Sequence, residues 1–171
     1  MSRCLVVGNW KMHGDRAAVA DLIGQLKAGL AGLDEVDVAI CPPYPYLAQA
    51  AGLLAGTRLA LGAQYLAVEA SGAYTGEVSG PMLADVGCRY VIVGHSERRG
   101  LYGEDNVLVA QKFRAAVGHG LVPILCVGEQ RTEREAGITE RVIAAQLDAV
   151  LDLCGSQALA GAVIAYEPVW A

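Results

Sequence analysis

Three residues whose side chains are suited to proton transfer stand just after short apolar runs of the sequence. Lys11 follows the run at 4–7, His95 follows the run at 90–93, and Glu167 follows the run at 162–166. An ammonium, an imidazole and a carboxylate that meet at one place can move a proton and stabilise the negative charge that develops. Because parallel α/β proteins bind ligands at the carboxyl ends of their strands, we expect these three side chains to converge there.

Each of these residues has a simpler interpretation when it is taken alone. Lys11 is typical of a surface cation in a loop, and a single histidine after an apolar strand is more often a satisfied structural residue. Glu167 is harder to explain in this way, since a carboxylate at the end of an apolar strand loses hydration unless it has a partner or a function. The combination of all three favours the functional interpretation.

Other polar residues follow the same runs: Asn9 after the first, Gln64 after the third, and Cys126 with Glu129 at the fifth. No metal site is expected, because the three histidines lack HxxH or HExxH spacing and the cysteines lack CxxC spacing. The glycines form neither GxGxxG nor a P-loop, so no nucleotide-binding loop is expected.

The composition excludes several classes of protein. The 171 residues are 54% hydrophobic and 18% charged, with a net charge of −5, which argues against disorder and against a basic nucleic-acid surface. The apolar stretch at 158–166 is too short for a membrane helix, and the first residues do not resemble a secretory signal. The five cysteines are odd in number and mostly lie in apolar runs, so we interpret them as buried, reduced thiols of a cytoplasmic protein.

Six apolar runs that are rich in β-branched residues predict strands covered on both faces, as in a parallel sheet. They lie at 4–7, 36–41, 59–63, 90–93, 122–127 and 162–166.

Helical patterns separate these runs. Asp15 marks the start of the first long helix, Asp105 caps a helix over 107–117, and Thr139 begins a later one. Thr132 and Glu135 have the spacing of a capping box.

The alternation of strands and helices predicts right-handed βαβ units in a single domain over residues 1–171. The strand starts lie roughly 20 to 40 residues apart, and eight such units would need about 250 residues. This spacing leaves two alternatives, an open doubly wound sheet or a partial (β/α)8 barrel.

The segment at 64–79 is long for a loop and has little apolar periodicity. Loops of this length are usually functional or interaction elements, and Tyr74 near its middle is typical of a side chain that inserts into a partner. A flexible surface loop is the alternative.

The sequence resembles the triosephosphate isomerase family along its whole length. The resemblance is carried by Gln64 and by the segments VGNWKM at 7–12, AYTGE at 73–77, GHSERR at 94–99, CVGE at 126–129 and AYEPVWA at 165–171. It implies a (β/α)8 TIM barrel with about six of the eight units present. His13 stands where the family usually has asparagine, and the family's last two strands, its phosphate loops and half of its mobile lid are not in the sequence.

The resemblance implies the reversible interconversion of dihydroxyacetone phosphate and D-glyceraldehyde 3-phosphate through an enediolate, in glycolysis and gluconeogenesis, with no cofactor. Glu167 would be the base, His95 the electrophile, and Lys11 the positive charge near the enediolate and phosphate. Asn9 would line the substrate pocket, and Glu97 would orient Lys11.

Further roles also follow from the resemblance. Ser96 and Glu97 begin a helix whose dipole favours a neutral imidazole at His95, and Cys126 supports the site. Pro168, Val169 and Trp170 would form a lid hinge near Glu129. Tyr74 and Thr75 would dock on the neighbouring subunit of a homodimer.

Two other functions are considered. One is a non-catalytic, self-associating half-barrel, because open strand edges would leave this chain poorly soluble and weakly active by itself. The other is a different (β/α)8 phosphosugar enzyme such as an epimerase, which the motifs around Lys11, His95 and Glu167 disfavour.

Overall fold

The computed structural model describes residues 4–32 and 35–170, so that Ala171 lies outside it. Parallel strands alternate with helices along the chain. The strands are β1 (Cys4–Asn9), β2 (Val36–Cys41), β3 (Ala60–Ala63), β4 (Tyr90–Val93), β5 (Val122–Val127) and β6 (Val163–Tyr166). The helices are α1 (Arg16–Gly29), α2 (Leu47–Leu54), α3 (Gly80–Val86), α4 (Ser96–Tyr102), α5 (Asn106–Gly118), α6 (Arg131–Glu135), α7 (Thr139–Cys154) and α8 (Ser156–Ala160), and a 3₁₀ turn (Tyr44–Tyr46) precedes α2.

The sheet order decides between the two architectures. The strands pair in the order β1-β2-β3-β4-β5-β6, and every pair is parallel. A doubly wound sheet reverses its strand order at a switch point, whereas a barrel adds each strand next to the one before it. The chain is therefore a six-stranded part of a (β/α)8 barrel.

Two apolar layers hold the sheet. The outer layer packs strand residues such as Val91, Val93 and Leu125 against helix residues such as Phe113 and Val150. The inner layer lines the concave face with a smaller set: Ala39, Cys41, Tyr90, Ile92, Ile124 and Cys126. Burial on both faces explains why β4 and β5 have continuous rather than alternating apolar sequences.

The edge strands are less covered than the central ones. On the helix-facing side, Val6 of β1 is 53% exposed and Ile164 of β6 is 50% exposed. Burial therefore alternates along β6, in contrast to the fully buried β4.

Most of the predicted helix starts are confirmed. Asp15 and Asp105 accept hydrogen bonds from the amides of Ala18 and Leu108, and Thr139 begins α7. The capping box predicted at Thr132 is wrong, because Thr132 lies inside α6.

The box at α6 is instead formed by Gln130 and Glu133. It starts two residues earlier because α6 begins at Arg131.

All five cysteines are free thiols. Cys41, Cys88 and Cys126 are buried, but Cys4 is exposed, since it begins the edge strand β1. In the part of the chain that the structure describes, no helix is long and apolar enough to cross a membrane.

Candidate active site

The loop after β1 holds Lys11 in a fixed and strained conformation. Lys11 has φ 51°, which is unfavourable for a residue with a Cβ. The side chain of Asn9 accepts a hydrogen bond from the Lys11 amide at 3.0 Å, and Gln64 Nε2 donates to the Lys11 carbonyl at 2.8 Å. The Gln64 amide also reaches the carbonyl of Cys41, so the ends of β1, β2 and β3 are joined.

The carboxylate of Glu97, in α4, orients the ammonium group of Lys11. Lys11 Nζ lies 2.7 Å from Glu97 Oε1, and the two side chains are 47% and 45% exposed. The hydrogen bond to Glu97 raises the pKa of Lys11, and the same bond lowers the pKa of Glu97. Both groups are thus charged at neutral pH.

His95 joins β4 to α4 and is held by its own helix. The residue is the N-cap of α4, and its Nδ1 accepts a hydrogen bond from the Glu97 amide at 3.2 Å. Because Nδ1 acts as an acceptor there, we infer that a neutral imidazole carries its proton on Nε2. Nε2 lies 3.7 Å from Glu167 Oε2, so the ring presents a donor on the side of that carboxylate.

Glu167 follows β6, and its carboxylate lies on the Nε2 side of His95, whereas the Glu97 carboxylate that pairs with Lys11 lies 3.7 Å from Nδ1. Its Oε2 accepts a hydrogen bond from Ser96 Oγ at 3.2 Å, and its amide donates to the carbonyl of Val127 at 2.8 Å. The backbone is therefore fixed while the side chain, 45% exposed, rests on α4.

Two neighbouring cavities divide the site. One, of about 210 Å³, is lined by Asn9, Lys11, Gln64, His95 and Glu97 among others. The other, of about 200 Å³, is lined by Ser96, Cys126 and Glu167 among others. The three predicted residues thus meet at one end of the sheet, but Glu167 does not line the cavity that Lys11 and His95 share.

Glu129 ties β6 and the segment after it to β5. Its carboxylate is fully buried and accepts hydrogen bonds from Tyr166 Oη at 2.9 Å and from Trp170 Nε1 at 3.2 Å, and its carbonyl accepts from the Val169 amide. Burial opposes ionisation, but the bonds from Trp170 and Tyr166 and the nearby Arg134 outweigh it and lower the pKa of Glu129. The structure thereby joins Glu129 to the 168–170 segment, in which Pro168 directly follows Glu167.

Cys126 lies beneath the site on the concave face. Its thiol donates to the carbonyl of Ile124, and burial raises the pKa of Cys126 to about 12. A thiol of this kind is protonated at neutral pH, so its contribution is packing rather than nucleophilic chemistry.

The loop at 64–79 has a fixed base and an exposed tip. The amide of Ala67 bonds the carbonyl of Val78 at 2.8 Å and closes the base. Every residue of the tip, 69–77, is exposed, including Tyr74 and Thr75.

Sequence reasoning missed a buried charge cluster next to the site. Glu104 Oε1 lies 2.5 Å from Arg98 Nε and 2.7 Å from Lys112 Nζ, and Glu104 is only 3% exposed. The Arg98 guanidinium also stacks over the ring of Tyr65 at 4.1 Å. Only Arg98 lies in a motif, GHSERR at 94–99, and the motif does not reveal the cluster because the other members come from α5 and two loops.

The described residues contain no group of three or more histidine, cysteine, aspartate or glutamate side chains arranged to hold a metal ion. The chemistry that these residues can offer is proton transfer beside a fixed positive charge.

The family profile and the similar proteins all carry the same description. The sequence profile of the family described as triosephosphate isomerase matches residues 4–171. The triosephosphate isomerase of Thiobacillus denitrificans is 58% identical over 171 residues, which is 100% of this chain and 68% of the relative.

Two further relatives carry the same name. The protein from Dechloromonas aromatica is 56% identical over 100% of this chain and 68% of its own length. The protein from Nitrosomonas eutropha is 57% identical over 97% of this chain and 66% of its own length. The chain thus spans about two thirds of the relatives that it matches.

Proposed function

The chain belongs to the triosephosphate isomerase family, and we propose that His95, Glu167 and Lys11 carry the family's reaction here. The reaction interconverts dihydroxyacetone phosphate and D-glyceraldehyde 3-phosphate, a step of glycolysis and gluconeogenesis. The observation that carries this proposal is the 3.7 Å approach of Glu167 Oε2 to His95 Nε2, while the Glu97 carboxylate that pairs with Lys11 lies 3.7 Å from Nδ1 of the same imidazole.

The imidazole of His95 and the ammonium of Lys11 would stabilise negative charge on the oxygen atoms of the substrate. Removing a proton from the carbon next to a carbonyl produces an enediolate, whose negative charge falls on oxygen. The Nε2–H of His95 and the ammonium of Lys11 would donate to these oxygens in the cavity that Asn9 also lines. Preorganised donors of this kind contribute roughly 2.7–4 kcal/mol each to lowering the barrier.

Glu167 would take the proton from one carbon and return it to the next, while the hydroxyl proton of the enediolate passes from one oxygen to the other, so that the carbonyl group changes place. In its present position the carboxylate rests on Ser96, so we propose that it turns toward the Lys11–His95 cavity when substrate binds. The backbone need not move far, since the Glu167 amide is held by Val127. The segment 168–170, attached to Glu129, would act as the hinge of a lid.

Lys11 also provides the attraction for an anionic substrate. The whole chain carries a net charge of −5, which repels a phosphate dianion. A local positive potential at the mouth of the cavity is therefore needed, and Lys11 is suited to supply it. Ser96, Glu97 and Cys126 would support the site without contacting the reacting atoms.

The assembly and location are also proposed. We propose a homodimer in which the exposed loop tip with Tyr74 and Thr75 docks on the neighbouring subunit, and a cytoplasmic location, which the five free thiols support. Residues 1–171 would form a single partial barrel domain.

The base is tested by Glu167→Gln in the full-length gene product. The amide keeps the shape of the side chain but cannot accept a proton, so kcat should fall about 10²- to 10⁴-fold while the unfolding midpoint is unchanged. A coupled assay of both directions measures this. Retention of most of the rate would contradict the assignment of the base, and a parent that is inactive and self-associated would favour the non-catalytic half-barrel.

The docking loop is tested by Tyr74→Arg. A charged side chain cannot enter an apolar pocket, so we expect the parent to sediment as a dimer and the variant as a monomer at micromolar concentration. An unchanged mass for the variant would place the interface elsewhere.

A further inference from the structure

We propose that Gln146 is a positioning residue for the catalytic base Glu167, acting through Gly128. This inference rests on the proposed function, in which Glu167 transfers the proton. Gln146 belongs to α7, on the outer layer of the barrel, and it does not touch the Glu167 carboxylate in any hydrogen bond described for it.

Gln146 binds both polar groups of one peptide residue. The Gly128 amide donates to Gln146 Oε1 at 2.9 Å, and Gln146 Nε2 donates to the Gly128 carbonyl at 2.9 Å. The side chain is buried, only 8% exposed, so bulk water competes little with these bonds. A primary amide matches this pair of groups because it offers one acceptor and one donor side by side.

Gly128 is in turn packed directly against the backbone of Glu167. A Cβ built on Gly128 would lie 1.8 Å from the carbonyl oxygen of Glu167, a distance at which no side chain can be accommodated. The two flanking hydrogen bonds, from Glu167 to Val127 and from Val169 to Glu129, continue the β5–β6 pairing on either side of this contact. The Glu167 backbone therefore rests against Gly128, and the hydrogen bonds from Gln146 fix the position of Gly128.

The contact has a consequence for catalysis. A shift of Gly128 would be transmitted to the Glu167 backbone, because the two chains are in van der Waals contact and share flanking hydrogen bonds. Misplacing a reacting group by about 1 Å can cost about 10²-fold in rate. The cavity lined by Glu167 is also lined by Gln146 and Gly128, so the amide and the base border the same space.

The test uses Gln146→Met and Gln146→Glu in the full-length gene product, with Gln49→Met as the matched control. Gln49 also donates from a partly buried side-chain amide to a backbone carbonyl, that of Arg16 at 2.8 Å, but it lies on α2 and outside the proposed machinery. We expect Gln146→Met to lower kcat about 10- to 100-fold with KM changed less than about threefold, and Gln49→Met to change neither.

Gln146→Glu adds a pH signature. Burial raises the pKa of the introduced carboxyl, and only its protonated form can still donate to the Gly128 carbonyl. Activity relative to the parent should therefore fall as the pH rises through that pKa. The proposal would be overturned if the activity of Gln146→Glu relative to the parent were low at every pH, or if it equalled the relative activity of Gln49→Met.

Hydrogen exchange provides a readout independent of isomerase activity. In Gln146→Met the amides of Glu167 and Val169 should exchange at least tenfold faster than in the parent, with distant helices unaffected. Equal acceleration throughout the molecule would show general destabilisation and overturn the proposal. An inactive parent would contradict the proposed function, yet this exchange pattern would still test the Gln146–Gly128–Glu167 link.

Discussion

Two ion pairs start from adjacent residues of α4 and lie in different surroundings. Glu97 reaches out to Lys11 at the rim of a cavity, where both side chains are nearly half exposed. Arg98 reaches in to Glu104, which is 3% exposed and also holds Lys112. The separations are similar, 2.7 Å and 2.5 Å, so distance does not distinguish the pairs.

The two ion pairs differ in how well water solvates their charges. Exposed pairs contribute only about 0–1 kcal/mol to stability, since water competes for both charges. Removing one member of a buried pair costs roughly 3–5 kcal/mol, because the remaining charge has neither partner nor water. We infer that the outer pair orients a functional group at little energetic cost, while the inner cluster holds the fold on which that group stands.

The largest expected effect is on the inner cluster. Glu104→Gln should destabilise the protein by roughly 3–5 kcal/mol, because Lys112 is buried and loses its counter-charge. Urea unfolding measures the loss. Adding Lys112→Met to the same variant should restore part of the stability. A loss below about 1 kcal/mol would remove the distinction between the two pairs.

Breaking the outer pair should affect stability less than breaking the inner cluster does, but it should clearly lower the rate. Glu97→Gln should change stability by less than about 1 kcal/mol. It should lower kcat/KM roughly 10- to 100-fold, less than the 10²–10³ lost when a donor itself is removed, because the Lys11 ammonium remains but is no longer aimed.

Glu135→Gln is the matched control for Glu97→Gln. Glu135 pairs with Arg131 at 2.8 Å on an exposed face of α6. It should change neither stability nor rate. If Glu97→Gln behaved in the same way, Glu97 would be a surface charge without a role at the site.

The sequence predicted the strands better than the polar contacts between them. The runs at 36–41, 90–93 and 122–127 match β2, β4 and β5, because strands buried on both faces are marked by their own composition. β1 extends to Asn9 rather than ending at residue 7, since its last residues pair with β2 through backbone hydrogen bonds that composition does not reveal.

The motif residues could also be identified from the sequence. Lys11, His95 and Glu167 each follow a strand, and the parallel arrangement brings such positions to one edge. The separation of Glu167 from the Lys11–His95 cavity could not be predicted in this way, because it depends on which rotamer the Glu167 side chain adopts against Ser96.

The sequence by itself determined the alternation of strands and helices, the family, and which residues stand at the strand ends. Local composition and spacing are sufficient for these, because each depends on residues close together in the chain. The tertiary structure alone decided that Glu104 is buried between Arg98 and Lys112, and that Gln146 binds Gly128, which packs against the Glu167 backbone. Those features depend on groups from separate elements coming within hydrogen-bonding or van der Waals distance, and only the packed fold sets such distances.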